Sequence, residues 1–186
     1  MSGASKLTPS TEKRAPVVEE KTIDGRTVYT PLFSGVFWDA QDTLLEDIER
    51  IEVISGPGAT LWGTNAVNGV INVITRSATD TRGQLAYIGG GNKEAGLAAR
   101  SGIRLGADGG FRVYGKAFGR DNTVRASGAD AHDHWKNEQA GFRADWGSGA
   151  DRYALQGDAY QGTADQAAPG DVRISGGNVL VRWQRQ

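Results

Sequence analysis

The sequence predicts a mainly β chain: a partial α/β portion over residues 22–77, then an antiparallel up-and-down sheet over residues 83–186. Three observations predict it. Apolar residues recur at alternate positions through most of 83–186, the period of a strand with one apolar face. The chain holds 27 Gly, about twice average usage, placed inside and between the alternating runs. The links between those runs also alternate in length. GADGG at 106–110 and GSGAD at 147–151 are tight, whereas 121–137 and 162–176 are long and polar. Tight links at one end and long ones at the other suit a membrane barrel better than a soluble sandwich.

The elements follow in order. Residues 1–21 are rich in Ser, Thr, Pro and charge and read as a flexible, solvated arm, with no apolar core of a signal peptide. Asp24-Gly25 is a turn signal, and residues 27–29 are free to extend. Thr43 stands three residues before Glu46, the spacing of a capping box, ahead of Ile48, which predicts a short helix. Residues 50–55 alternate as a strand. Gly56-Pro57-Gly58 reads as a type II turn with Gly58 at the positive-φ position. One helical turn is expected over 59–62. Residues 70–75, VINVIT, are apolar on both faces except Asn72, as in the centre of a sheet.

Six alternating runs then follow, near 84–90, 96–105, 111–120, 139–146, 153–159 and 178–184. Leu85 and Tyr87 share the apolar face of the first. Leu97, Ile103, Val113, Phe142, Leu155, Val179 and Val181 mark that face in the others, with Arg100, Arg104, Arg112, Lys116 and Arg143 on the polar face. Tyr114, Phe118 and Leu180 break the pattern. Trp146 and Trp183 sit near strand ends on the apolar side, where an interfacial girdle belongs.

Several functions are disfavoured. A net charge of −1 draws neither nucleic acid nor acidic lipid. The absence of Cys removes disulfides and thiolate metal sites. No run of about 18 apolar residues could form a membrane helix. The strand-then-glycine order of IEVISGPGATLWG, residues 51–63, is that of a phosphate loop, but no Lys follows Gly58 or Gly63, and Gly89-Gly90-Gly91 also lacks the pattern. No catalytic set can be assembled, so no enzyme, cofactor or metal site is expected. His132 and His134, with Asp130 and Asp133, read as a solvated loop.

Residues 24–39 and 45–76 resemble the second half of the plug domain of TonB-dependent outer-membrane receptors. The resemblance rests on Asp24, Gly25 and Arg26; Asp47, Glu49, Arg50 and Glu52; Gly56 and Pro57; Leu61 and Gly63; and Asn68, Gly69 and Asn72. It implies a plug over 22–77 and, over 83–186, about six strands of an incomplete transmembrane β-barrel, where the family has about 22. It implies a fragment of a receptor that takes up a scarce large solute (ferric siderophore, haem or cobalamin), with TonB, such a ligand and outer-membrane lipid as partners. The TonB-pairing segment is not recognisable, so the chain alone is not expected to transport. Glu49, Arg50 and Glu52 are expected to pair within the lumen, with Arg100, Arg104, Arg112 and Lys116 facing the plug. Ser55 stands where the family tends to place Arg. A soluble all-β binding or adhesin module is the alternative.

Overall fold

The computed structural model describes residues 19–30, 32, 35–63, 65–166 and 170–185. Most of the expected arm lies outside them, but its last residues do not. Strand β1 covers Glu19–Ile23 and pairs in parallel with β4, Gly69–Thr75. Asp24 and Gly25 both take positive φ, 51° and 79°. That is the signature of a two-residue hairpin turn, and it returns the chain into β2, Arg26–Thr27. β3, Ile48–Ser55, pairs antiparallel on the other side of β4. The sheet order is β2-β1-β4-β3. β4 is central, as VINVIT predicts, with Val70 and Val73 buried. Its one polar residue, Asn72, is satisfied across the sheet, accepting from Thr22 Oγ1 at 2.8 Å and donating to Glu52 Oε2 at 3.0 Å.

Two local expectations are corrected. The Thr43–Glu46 capping box makes no helix of its own. Only a 3-10 turn forms over Leu45–Asp47, with Leu44 before it and no side-chain cap. The chain must already be extended at Ile48 to pair with Thr75, so no room is left for a second turn. In the Gly-Pro-Gly loop the positive φ, 104°, belongs to Gly56 and not to Gly58. Gly58 instead begins the single turn of α1, Ala59–Trp62, its carbonyl accepting from Trp62 N at 2.9 Å. A Cβ there would crowd the Trp62 ring at 3.3 Å and Val70 at 3.4 Å.

The second sheet is a six-stranded antiparallel meander. Its strands are β5 Gly83–Gly90, β6 Glu94–Leu105, β7 Gly109–Arg120, β8 Trp135–Trp146, β9 Asp151–Ala164 and β10 Val172–Arg185. β5 and β10 are its edges, so the sheet is not closed into a barrel. β9 and β10 run on past the apolar alternation, and the link expected over 162–176 shrinks to 165–171. There the outer face turns polar (Lys136, Gln161, Thr163, Arg173) while the backbone ladder continues, so alternation fades before pairing does. At the same end, β5 and β6 are joined by only 91–93, so that end is not uniformly long-looped.

Antiparallel partners project to the same side, which fixes the faces. Leu97, Ile103, Val113, Val179, Val181 and Trp183 lie on an outer face and are all exposed. Arg100, Arg112, Lys116, Gln139, Arg143 and Gln156 share the inner face, against which the small sheet packs. The first strand departs from expectation. Leu85 is paired with Arg100 and Tyr87 with Ala98, which puts both on the inner face. Tyr114 and Phe118, the exceptions in the pattern, are inner too. Tyr114 accepts a hydrogen bond from Gln139 at 2.9 Å, and Phe118 meets Trp135 edge-on at 4.8 Å.

Candidate functional site: the polar contact between the two sheets

Asp24 is the most connected residue of the contact. The hairpin turn aims its side chain at the end of β4, where Thr75 N donates to Oδ1 at 2.8 Å and Thr75 Oγ1 to Oδ2 at 2.7 Å. From the large sheet, Gln156 Nε2 donates to Oδ2 at 3.0 Å, and Arg143 Nη1 reaches it at 3.4 Å. Arg182 donates to the Asp24 carbonyl. Arg143 also forks onto Asp145 at 2.8 and 3.0 Å, the bidentate geometry that favours arginine over lysine. Asp145 in turn accepts from Ala78 N at 2.6 Å, tying down the segment that joins the sheets.

A second cluster is centred on Asp47, held by the 3-10 turn and only 2% exposed. Arg100 donates to its Oδ1, and Arg112 Nε lies 3.3 Å from Oδ2. The latter is an ion pair too bent to be a hydrogen bond, so both of its atoms lack one. Arg112 also donates to the Arg76 carbonyl at 2.7 Å. Further along, Lys116 Nζ meets Asp42 Oδ1 at 2.5 Å. Thr75 Oγ1 joins the Asp24 and Asp47 clusters, accepting from Arg143 at 2.8 Å and Arg112 at 3.3 Å, and a cavity of about 50 Å³ lies among them, bordered by Asp24, Asp42, Asp47, Arg112 and Arg143. That is roomy enough and polar enough to hold water.

The remaining motif residues shape the small sheet. Arg26 donates to Gln41 at 3.0 Å. Gly56 N bonds the Asn68 carbonyl at 2.9 Å. Gly63 has φ 95°, and a Cβ at Gly69 would lie 2.7 Å from Ile54 O. Pro57 is exposed, as is Leu61. Glu49, Arg50 and Glu52 pair, but with one another, Arg50 lying 2.6 Å from Glu49 and 2.8 Å from Glu52. They occupy an exposed stretch of β3 and bond no residue of the large sheet. The hydrogen bond from Arg50, then that from Asn72, hold the Glu52 carboxyl below its ordinary range. Arg104 is corrected as well: it is exposed and bonds the carbonyls of Gly106 and Ala107 in its own turn. Ser55 is exposed at the end of β3, opposite Gly69.

Asp42, Gln156 and Arg182 join the contact without having been singled out from sequence. Gln156 and Arg182 had position on a polar face as their only signal, and Asp42, in the loop before the 3-10 turn, had none. In the 121–134 loop, Asp133 takes Thr123 N at 2.7 Å and Thr123 Oγ1 at 2.5 Å. Those bonds, the side-chain one first, lower its pKa. His132 lies 3.6 Å from Asp165. Among the described residues no three His, Asp or Glu converge on a metal position. Trp146 stacks on Tyr153 at 5.7 Å, and Trp183 donates to Asp151 at 2.9 Å, both at the 147–150 end of the outer face.

Residues 20–70 match the TonB-dependent receptor plug domain. Over those residues the chain carries a TonB-dependent receptor plug segment. It is 46% identical over 71 residues to the vitamin B12 transporter BtuB of Vibrio vulnificus, covering 38% of this chain and 12% of that protein. It is 31% identical over 103 residues to a ferric enterobactin receptor of Pseudomonas aeruginosa, covering 52% of this chain and 14% of that one. Among solved structures, the copper transporter OprC superposes with TM-score 0.66 at 19% identity, over 90% of this chain and 27% of that one. The ferric enterobactin receptor PfeA superposes at 0.60 and 17%, over 91% and 31%. These two likenesses show the fold. The chain spans less than a third of either.

Proposed function

We propose that this TonB-dependent receptor chain supplies plug structure over 22–77 and barrel wall over 83–186, within an outer-membrane receptor. That receptor takes up a large scarce solute of the ferric siderophore, haem or cobalamin class. The observation that carries the reading is the pairing of opposite surfaces on one sheet. The outer face is apolar and exposed, as lipid contact requires, while the inner face meets the plug almost wholly through charged and polar groups. Such an interface can be parted by force at lower cost than an apolar one, because water re-solvates each freed group. TonB, driven by the inner-membrane proton gradient, would supply that force, and no covalent chemistry is needed.

The relatives' names support the solute class, and Trp146 and Trp183 support an interfacial girdle. The soluble adhesin alternative is disfavoured by the same outer face, which a sandwich would cover. Six strands with two unpaired edges do not enclose a channel, so the chain by itself is proposed not to transport. The test is uptake of labelled cyanocobalamin, haem and ferric siderophores by cells expressing the receptor that contains this chain. Accumulation of one class that disappears on deleting TonB is expected. TonB-independent accumulation, or none for any class, would sink the proposal.

A further inference from the structure

One level of the outer face is cationic rather than apolar. Across β8, β9 and β10, Lys136 stands opposite Thr163, and Thr163 opposite Arg173. Residues so paired project to one side, so the three form a single outward row. Strands about 4.8 Å apart set the backbones of Lys136 and Arg173 about 10 Å apart, close enough for two long side chains to meet on one phosphate. Resting on the barrel-wall reading, we infer that this row holds the phosphate of a lipid headgroup in the leaflet at the 121–134 loop end.

The depth of the row points to a headgroup. Ten residues along β8, at the other rim, Trp146 forms the matching outward row with Tyr153 and Trp183. Such a run rises about 34 Å along the strand. At a strand tilt of about 40° it crosses about 26 Å of bilayer, close to the height of a barrel's apolar band. Next to the cationic row stand Glu138, Gln161 and Ser175, and the three rows after that hold only Ala, Gly, Phe, Leu and Val. The cations therefore sit where headgroups meet acyl chains, as the tryptophans do in the other leaflet.

The charge is also available. An open groove of about 440 Å³ lies over the two polar rows, bordered by Lys136, Thr163 and Arg173. Among the described residues, neither Lys136 nor Arg173 has an ion-pair partner. Glu138, the carboxylate of the next row, accepts instead from Gln161 Nε2 at 2.9 Å. The opposite rim differs: there the outward Arg185 is already paired with Asp151 at 3.2 Å. Two unpaired cations flanking a hydroxyl suit the oxygens of a phosphate, to which charge-assisted hydrogen bonds are strong. The adjoining apolar rows supply a bed for acyl chains, which a soluble anion would leave uncovered.

The test uses the receptor containing this chain, purified in a neutral detergent, with bound lipid counted by native mass spectrometry. The probes are bisphosphorylated lipid A, the same glycolipid stripped of its phosphates, and inorganic phosphate. Preferential retention of the phosphorylated form is expected. Lys136→Gln and Arg173→Gln should each weaken it about fivefold, the effect of one cation at an anionic membrane surface, and leave the stripped form unchanged. Arg173→Lys, which keeps the charge, should bind like the unaltered receptor. Arg104→Gln, at an exposed cation in the 106–108 turn, should change nothing. Equal retention of the two glycolipids, equal losses in Arg104→Gln and the row variants, or displacement of lipid by inorganic phosphate at equal concentration overturns the inference. Insertion of the receptor into phosphatidylcholine vesicles would then leave the barrel reading standing while the lipid site falls.

Discussion

Asp47 and Arg50 are near neighbours in sequence with opposite surroundings. Asp47 is enclosed by two guanidiniums, so Asp47→Asn leaves Arg100 and Arg112 buried without their counter-charge. Breaking a buried pair costs about 3–5 kcal/mol, and a loss of that order in urea-unfolding free energy is expected for the receptor in lipid vesicles. Arg50 pairs in the open with Glu49 and Glu52, where screening by water and salt leaves little net effect. Arg50→Gln is expected to lower the same unfolding midpoint only slightly. Its effect belongs to the Glu52 titration. The folded Glu52 pKa is depressed, so the stability this group contributes is present above its unfolded pKa and is lost as pH falls through the lower folded value. A carboxyl-carbon NMR titration is expected to find Glu52 below the ordinary glutamate range in the unaltered protein and nearer to it in Arg50→Gln. An ordinary value in both would mean that the pair does not persist in solution.

Among the elements, the segment joining the sheets depends on an absence of side chain. Residues 76–82 lie against the inner face, and a Cβ at Gly110 would sit 2.5 Å from the Ala78 carbonyl carbon. Backbone cannot yield there as a flexible side chain could. Gly110→Ala should push the segment outward and strain the Ala78–Asp145 hydrogen bond, at about 1–3 kcal/mol as for other overpacked sites. Gly115→Ala, with nothing within 4 Å of the added carbon, is the matched control, and equal losses in the two would refute the steric account. The contrast also marks what sequence could reveal. Alternation and turn residues were enough to place β4 at the centre of its sheet, α1 after the glycine loop, and a meander of six strands. Those signals are local. The Thr43–Glu46 spacing is local too, yet it was overruled because Ile48 pairs with Thr75. The partners of the contact were less legible still. Lys116 finds Asp42 across 74 positions, and Gln156 finds Asp24 across 132. A polar face announces that partners exist, but their identity emerges only once the two sheets are docked. Arg104 shares that face with Arg100 and Arg112 yet ends in its own turn.

On the scale of the whole molecule, the same alternation has to satisfy two solvents. Along β10, Ser175, Gly177, Val179, Val181 and Trp183 lie outward, and Asn178, Leu180 and Arg182 inward. Val179 stands mid-way between the polar rim at Arg173 and the tryptophan at 183, which places it near the middle of the outer band. It is 69% exposed, a condition water would oppose and hydrocarbon would satisfy. A charge there should therefore be judged by lipid. Val179→Arg is expected to cost about 2–4 kcal/mol when the receptor folds into bilayers, the figure for a cation at the midplane. Gln184→Arg, exposed on the inner side of the same strand, should cost far less, because water already reaches it. The measurement is urea titration in vesicles of the receptor containing each change. Should the two substitutions cost the same, the outer face does not meet lipid, and the covered face of a soluble sandwich becomes the better reading.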